Sequence, residues 1–221
     1  MKNITVIGLG SMGYGIAQSL IRSGYNVYGQ DKNTVQQKKL IEEGGLDAEI
    51  PFGDLDAVII VVLNEAQTRD IIFGEEGIAD KLKKHTLVIV CTTVSPNFAK
   101  AMATACENKE LLYLDAPISG GSIKSSQGKL SYMVSGSKNA LIAAKPILDS
   151  TSETVFEFGE VVGSGSAMKA VNQMLAGVHI AAMAEAITFG ITQGIEPERF
   201  LEVISKCAGS SWMLENRAPH I

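Results

Sequence analysis

The sequence predicts an α/β fold in two parts: a doubly wound, mostly parallel sheet with helices on both faces, then an all-helical segment. Three observations predict it. A strand, Ile4-Thr5-Val6-Ile7, runs straight into a glycine turn, Gly8-Leu9-Gly10-Ser11-Met12-Gly13, close to the start of the chain. From Ile4 to about Phe158, strand-like apolar runs alternate with helical patterns, as in a parallel sheet with crossover helices. From Gly163-Ser164-Gly165 onward the alternation stops, and one long helical pattern rich in Ala, Met and Ile continues to about Gln193.

The first element carries the most information. Its turn has the spacing G-x-G-x-x-G, and each glycine has a separate reason to be there. Gly8 permits the tight turn out of the strand, Gly10 lets a pyrophosphate approach the backbone, and Gly13 lets the helix pack close to the strand. The helix that follows has Ile16, Leu20 and Ile21 at helical spacing and is closed by Gly24. Its free N–H groups and dipole face the phosphates, and Leu9, Ser11 and Met12 join the three glycines as cofactor-binding candidates. A second strand, Asn26–Gln30, ends at Asp31, at the distance expected for a carboxylate that binds an adenosine ribose. The pattern points to a bound dinucleotide; the alternative is a tight turn without a ligand.

Further strands are expected at Ala57–Leu63, Thr86–Cys91, Leu111–Leu114, Leu130–Val134 and Thr154–Glu157. Helices are expected at Thr34–Glu43, Asn97–Asn108 and Ser137–Leu148, with Ser95-Pro96 as N-cap and first-turn proline of the second. A boundary near Val162 divides the chain into domains 1–162 and 163–221. The long helix is apolar around much of its circumference, as a central helix buried between partners would be. Its run from Met174 to Ile191 is interrupted by Glu185 and reads as a buried helix, not a membrane span. Gly194 stops it, and Glu196-Pro197-Glu198 begins a shorter helix through about Lys206.

Composition narrows the class. Of 221 residues, 46% are hydrophobic and 19% charged, ordinary for a folded chain with a core. A net charge of −5 argues against nucleic acid as a partner. Lys81, Lys83 and Lys84 look like the solvated end of a helix. Cys91, Cys106 and Cys207 are widely spaced and odd in number, with no metal-ligand spacing, which suggests reduced thiols. The apolar N-terminus is short and glycine-interrupted, unlike a signal peptide. A soluble, cytoplasmic protein that binds neither membrane nor metal is expected.

Two features outside the glycine turn carry chemistry. After the strand at Leu111–Leu114 comes Asp115-Ala116-Pro117-Ile118-Ser119-Gly120-Gly121-Ser122. Ser119, Gly120 and Gly121 present a hydroxyl and unobstructed backbone N–H groups together, a combination that suits a carboxylate; an ordinary glycine-rich turn fits equally well. Inside the long helix, Lys169 and Asn172 are three residues apart on one face, among Ala170, Val171, Met174 and Leu175. Desolvation there lowers a lysine's pKa toward the range useful for proton transfer, with Asn172 to orient it or to hold a substrate hydroxyl. The alternative is a lysine that reaches from the helix edge to water. His179 and Glu185, on the same helix, are read as packing residues, and Trp212 as a core or interface aromatic. Leu63-Asn64 and Thr92-Thr93 follow central strands, where doubly wound sheets place the nicotinamide half of a dinucleotide.

Together, VIGLGSMGYGIAQSL, DAPISGG and GSGSAMKAVNQML, in this order and spacing, resemble the β-hydroxyacid dehydrogenase family, which includes 3-hydroxyisobutyrate dehydrogenase and tartronate semialdehyde reductase. GVHIAAMAEA and SSWMLENRAPHI are most similar to its L-threonate dehydrogenase branch. The resemblance implies a Rossmann domain followed by an all-helical domain, and an NAD-dependent oxidation of a small hydroxy acid such as a sugar acid. It implies that Ser119, Gly120 and Gly121 hold the substrate carboxylate, that Lys169 is the general acid/base supported by Asn172, and that Leu63 and Thr93 touch the cofactor. Asp31 stands where NAD-using members carry an acidic residue and NADP-using members often have Asn-Arg-Thr; NAD is favoured, although Lys32 is adjacent.

The family pattern continues past the position of Ile221 to a Lys-Asp-Leu-Gly motif that this sequence does not contain. On this ground an incomplete helical domain is expected, with apolar surface on the long helix that favours a homo-oligomer. The competing reading is a dinucleotide-binding protein with little or no catalytic activity.

Overall fold

The computed structural model describes residues 2–47 and 49–218. The chain divides into two compact units, the first ending at Lys169 and the second beginning at Ala170.

In chain order the first unit contains β1 (Asn3–Ile7), α1 (Gly13–Arg22), β2 (Asn26–Gln30), α2 (Thr34–Glu42), β3 (Ala57–Ile60), α3 (Glu65–Phe73), β4 (Leu87–Val90), α4 (Pro96–Glu107), β5 (Leu112–Asp115), β6 (Ile118–Ser119), α5 (Gly121–Ser126), β7 (Leu130–Gly136), α6 (Lys138–Thr151) and β8 (Ser152–Glu157). It ends within α7 (Ser164–Thr192).

The strands lie in the order β2-β1-β3-β4-β5-β7, and β1 to β5 are parallel. β5 and β6 are successive pieces of one edge running antiparallel to β7, with Leu114 opposite Gly136 and Ile118 opposite Tyr132. Between them the Met133 N–H still donates to the Pro117 carbonyl at 3.0 Å. β8 pairs in parallel with the other edge of β7. The chain leaves β1 toward β2 and returns on the far side of β1 as β3, so the order reverses between β1 and β3. In such sheets ligands bind outside the carboxyl ends of the strands at that reversal, and here those ends are the glycine turn and the segment Val61–Asn64.

The local sequence explains these elements. β3 (AVII) and β4 (LVIV) are buried on both faces and read as unbroken apolar runs. Alternate residues feed two cores. Ile4, Val6, Ile59 and Ile89 pack with Ile16 and Leu20 of α1 and Ile147 of α6, whereas Val58, Ile60, Val88 and Val90 pack with Ile72 of α3 and Phe98 and Met102 of α4.

All the strands expected from the sequence are present, with shifted ends. β3 stops at Ile60 although Val61, Val62 and Leu63 continue the apolar run; the backbone leaves the sheet there, and Leu63 is 85% exposed. Lys81, Lys83 and Lys84 do not end a helix; they lie in or beside the turns between α3 and β4, with exposed side chains.

Beyond Lys169, α7 continues through the second unit, followed by α8 (Pro197–Ile204) and α9 (Trp212–Arg217). Gly194, at φ +78°, takes the left-handed conformation that ends α7. The unit's small core is Met183, Leu214 and Ala218 with Ile187, Phe200, Leu201 and Ile204. α7 is not buried between partners among the described residues, and it carries the exposed apolar surface expected of an incomplete helical domain. Met174, Val178 and Phe189 are 62%, 58% and 67% exposed, because the small core reaches α7 only through Met183 and Ile187. By length and composition this helix is apolar enough to cross a membrane. His179 and Glu185 are exposed instead of packed, and Trp212 is 60% exposed. The last three residues of SSWMLENRAPHI lie outside the described residues.

Candidate active site

The three glycines of the turn differ physically. Gly8 adopts φ +96°, and a Cβ there would stand 2.2 Å from the Val61 carbonyl oxygen. A Cβ on Gly13 would stand 1.8 Å from the Gly8 carbonyl oxygen, so only glycine lets α1 begin so close to the turn. A Cβ on Gly10 would meet nothing within 4 Å; it would project into open space. Gly8 and Gly13 therefore satisfy the protein's own packing, and Gly10 leaves room for something else.

Asp31 is bound into the turn. Its Oδ2 accepts from the Leu9 N–H at 2.6 Å, and its Oδ1 from the Asn33 N–H at 2.7 Å. The Asn33 side chain in turn caps α2 by accepting from the Val35 N–H at 3.1 Å. A cavity of about 480 Å3 opens beside this arrangement, and Leu9, Gly10, Ser11 and Asp31 line it. Gly8, Met12 and Gly13 do not line it. Met12 serves from behind, its carbonyl accepting from Ser125 Oγ at 2.5 Å.

The sequence reading did not identify the rest of the wall. Tyr14 and Gln18 come from α1, Asn33 and Gln36 from the start of α2, and Ser122 and Ser126 from α5. The α1 residues follow from Ser11 by helical spacing, which was a usable signal. The α5 residues had none, because they arrive through a tertiary contact. A Cβ on Gly15 would stand 2.5 Å from the Ser126 nitrogen, and Arg22 donates to the Ser126 carbonyl at 2.6 Å. None of the residues lining the cavity is a lysine or arginine.

At the ends of the next strands, the Leu63 N–H donates to Gln67 Oε1 at 3.0 Å, and Asn64 caps α3 by accepting from the Gln67 N–H at 3.0 Å. The buried Thr92 hydroxyl accepts from the Val62 N–H at 3.2 Å, tying the end of β3 to that of β4. Thr93 is exposed beside it. Leu63 and Thr93 thus stand open at the carboxyl ends of the central strands, outside the cavity at the glycine turn.

Ser119 ends β6, and Gly120 and Gly121 lead into α5 at φ +135° and +76°. Two consecutive residues in the region that side chains avoid explain the glycine pair. α5 is anchored against α1 by Ser125 and Arg22, so the Ser119–Gly121 loop and the glycine turn are joined to one rigid base.

Lys169 is 7% exposed, and burial holds its ammonium pKa below the ordinary 10.5. It does not reach from the helix edge to water. Asn172 follows it on α7 but belongs to the second unit, where its side-chain amide donates to Gln173 Oε1 at 3.2 Å, not to Lys169.

One buried residue had no role in the sequence reading. Asp115, at the end of β5, is fully buried. Its Oδ2 accepts from Ser135 Oγ at 2.9 Å, from the Gly163 N–H at 3.2 Å and from the Ser166 N–H at 2.9 Å. Its Oδ1 accepts from Ser166 Oγ at 2.6 Å. Ser135 Oγ also accepts from the Gly163 and Gly165 N–H groups, each at 3.1 Å. A carboxylate at the start of a long helix is favourably placed against the helix dipole.

Comparison with known proteins gives a consistent result. A family model described as the NAD binding domain of 6-phosphogluconate dehydrogenase matches residues 3–159. One described as NAD-binding of NADP-dependent 3-hydroxyisobutyrate dehydrogenase matches residues 163–221. The L-threonate dehydrogenase of Cupriavidus necator is 41% identical over 100% of this chain and 75% of its own length. That of Haemophilus influenzae is 43% identical over 99% of this chain and 74% of its own. The crystal structure of a 3-hydroxyisobutyrate dehydrogenase from Salmonella typhimurium superposes with a TM-score of 0.95 at 39% identity, covering 100% of this chain and 78% of that one.

Proposed function

The chain belongs to the β-hydroxyacid dehydrogenase family of NAD-binding hydroxy-acid oxidoreductases, and on that premise we propose that its substrate is a small sugar acid of the L-threonate type. The two family-model matches, over residues 3–159 and 163–221, support a dinucleotide-binding part of residues 1–162 and a second part of residues 163–221, a boundary a few residues before the end of the first compact unit. The open space at Gly10 and the carboxylate of Asp31 fit a dinucleotide, with Gly8, Leu9, Ser11, Met12 and Gly13 shaping the turn. The exposure of Leu63 and Thr93 just past the ends of β3 and β4 supports a nicotinamide contact for both. Bound NAD supplies a hydride acceptor at its nicotinamide C4. Ser119, Gly120 and Gly121 grip the substrate carboxylate. Lys169 Nζ takes the proton from the substrate hydroxyl as the carbon bearing it is oxidised to a carbonyl. Asn172 supports the lysine or the substrate hydroxyl.

The observation that carries this reading is the burial of Lys169. A lysine 7% exposed and held below its ordinary pKa is costly to the fold, and the direction of that shift favours the free amine that a general base requires. NAD is preferred over NADP: Asp31 repels a 2′-phosphate, and the cavity has no lysine or arginine to receive one, Lys32 included. The exposed apolar residues of α7, Met174, Val178 and Phe189 among them, support a homo-oligomer, in which protein, not lipid, covers this helix. The free Cys91, Cys106 and Cys207 support a cytoplasmic protein, and the acidic net charge of −5 supports one without a nucleic-acid partner.

Titration of intrinsic or NADH fluorescence, followed by assays with L-threonate and 3-hydroxyisobutyrate, tests the proposal. NADH binding with threonate-dependent NAD reduction is expected, and Lys169→Ala should remove about 10²–10⁴-fold of turnover while keeping NADH affinity. Binding without turnover on any hydroxy acid would favour a dinucleotide-binding protein without catalysis. Full turnover in Lys169→Ala would overturn the role of the lysine.

A further inference from the structure

A buried carboxylate is weak evidence for stability, since an apolar residue of the same volume often serves a core as well. What the Asp115 carboxylate supplies is a fixed arrangement of its partners. On one side it lies on the same strand run as Ser119, four residues upstream. On the other, both of its oxygens are held by Ser166, one through the hydroxyl and one through the N–H. Ser166 is three residues before Lys169, on the same face of α7.

We infer that Asp115 is a positioning residue for Lys169. Through Ser166 and Gly163 it sets the axial and rotational register of the first turn of α7, and so places the lysine relative to the strand that leads to Ser119. The inference deepens the proposed function and rests on its reading of Lys169. Packing alone brings the helix close without fixing its register. A Cβ on Gly165 would stand 2.3 Å from the Met133 carbonyl oxygen, so α7 begins directly against the backbone of β7. A slip of one residue along that contact would rotate Lys169 by about 100° about the helix axis. The directional bonds from the Gly163 and Ser166 N–H groups and the Ser166 hydroxyl to a single carboxylate forbid that slip.

The test uses Ser166→Ala, Ser166→Thr and Asp115→Asn in the full chain. Four quantities are read: NADH affinity, thermal midpoint, kcat and KM with a hydroxy acid, and the rate at which an amine-reactive ester acylates Lys169, followed by peptide mass mapping. Ser166→Ala is expected to fold and to bind NADH as the parent does. Its kcat should fall by about 10- to 100-fold with a much smaller change in KM, because a small misplacement of a catalytic group costs turnover. Its Lys169 acylation rate should change several-fold, and Ser166→Thr, which keeps the hydroxyl, should restore both. A folded Ser166→Ala with parental kcat and parental Lys169 acylation overturns the inference. If Asp115→Asn fails to fold, the Ser166 pair still decides. If Lys169→Ala retains turnover, the acid/base reading fails, and the acylation rates still report whether the Asp115 cluster places the lysine.

Discussion

The Leu9 N–H donates a 2.6 Å hydrogen bond to Asp31 Oδ2, so the residue expected to hold a ribose also holds the turn expected to hold phosphates. One carboxylate therefore shapes the turn in the free protein and, on the proposed function, also reads the ligand in the bound one. Its loss should show in both states. Asp31→Ala is expected to weaken NADH binding by about tenfold or more, and to lower stability by about 1–2 kcal/mol through the released Leu9 and Asn33 N–H groups. For a chain of this size that is a fall of several degrees in thermal midpoint, read by calorimetry. The ratio of NADP to NAD affinity should rise in the same variant. An unchanged midpoint would show that the turn keeps its shape without Asp31.

Gly10 and Gly13 separate ligand from fold. An alanine at Gly13 brings Cβ to 1.8 Å from the Gly8 carbonyl, whereas one at Gly10 meets nothing within 4 Å. Gly13→Ala should cost about 1–3 kcal/mol of stability by overpacking. Gly10→Ala should melt with the parent and lose most of its NADH affinity. Equal melting and equal binding in Gly10→Ala would remove the dinucleotide from that side of the turn.

Burial divides the thiols. Cys91 and Cys106 are buried, and loss of hydration pushes both thiols up, Cys106 to about 12, with the nearby Asp115 adding to the effect at Cys91. Cys207 is exposed. In the native protein a chromogenic disulfide reagent should titrate Cys207 quickly. The other two should react only on unfolding, since the thiolate is the nucleophile. Rapid native reaction of Cys106 would show that the face of the sheet carrying α4 opens.

Most of the fold was legible because parallel strands buried on both faces leave unbroken apolar runs, and the glycine turn announces itself by spacing. The ends were less so. Val61 to Leu63 look like a strand, yet the chain must leave the sheet there to reach the Asn64 cap of α3. α3 fills the crossover that the alternation of strands and helices implies, although Glu65 to Asp70 offer little apolar periodicity to give its bounds. The same limit applies to the site. Gly10, Asp31 and Lys169 are named by local pattern, whereas Ser125, Ser126 and Asp115 matter through contacts that span more than one hundred or about fifty positions of sequence, and no local pattern encodes them. α7 shows the same limit: its all-round apolar composition says that the helix needs cover, and the exposed Met174, Val178 and Phe189 show that the described residues do not supply it.

Lys169 makes a prediction in which stability and turnover move together with pH. Burial lowers its pKa from 10.5, so below that value the folded protein binds fewer protons at this site than the unfolded chain does. Stability contributed by this group therefore rises with pH between the depressed value and 10.5, and at neutral pH the lysine is a net cost. Lys169→Met should be more stable than the parent near neutrality, with the advantage shrinking as pH approaches 10.5. On the proposed function, oxidation of the hydroxy acid needs the free amine, so kcat/KM should rise with pH to a plateau with its midpoint below 10.5. Lys169→Met should lose that limb along with turnover. Urea unfolding of both proteins across a pH series, beside initial rates of NADH formation, reads the two effects on the same samples. A parent more stable than Lys169→Met at every pH would mean that the contacts of the lysine side chain outweigh the cost of its burial, and a kcat/KM that does not rise with pH would remove the free amine from the reaction.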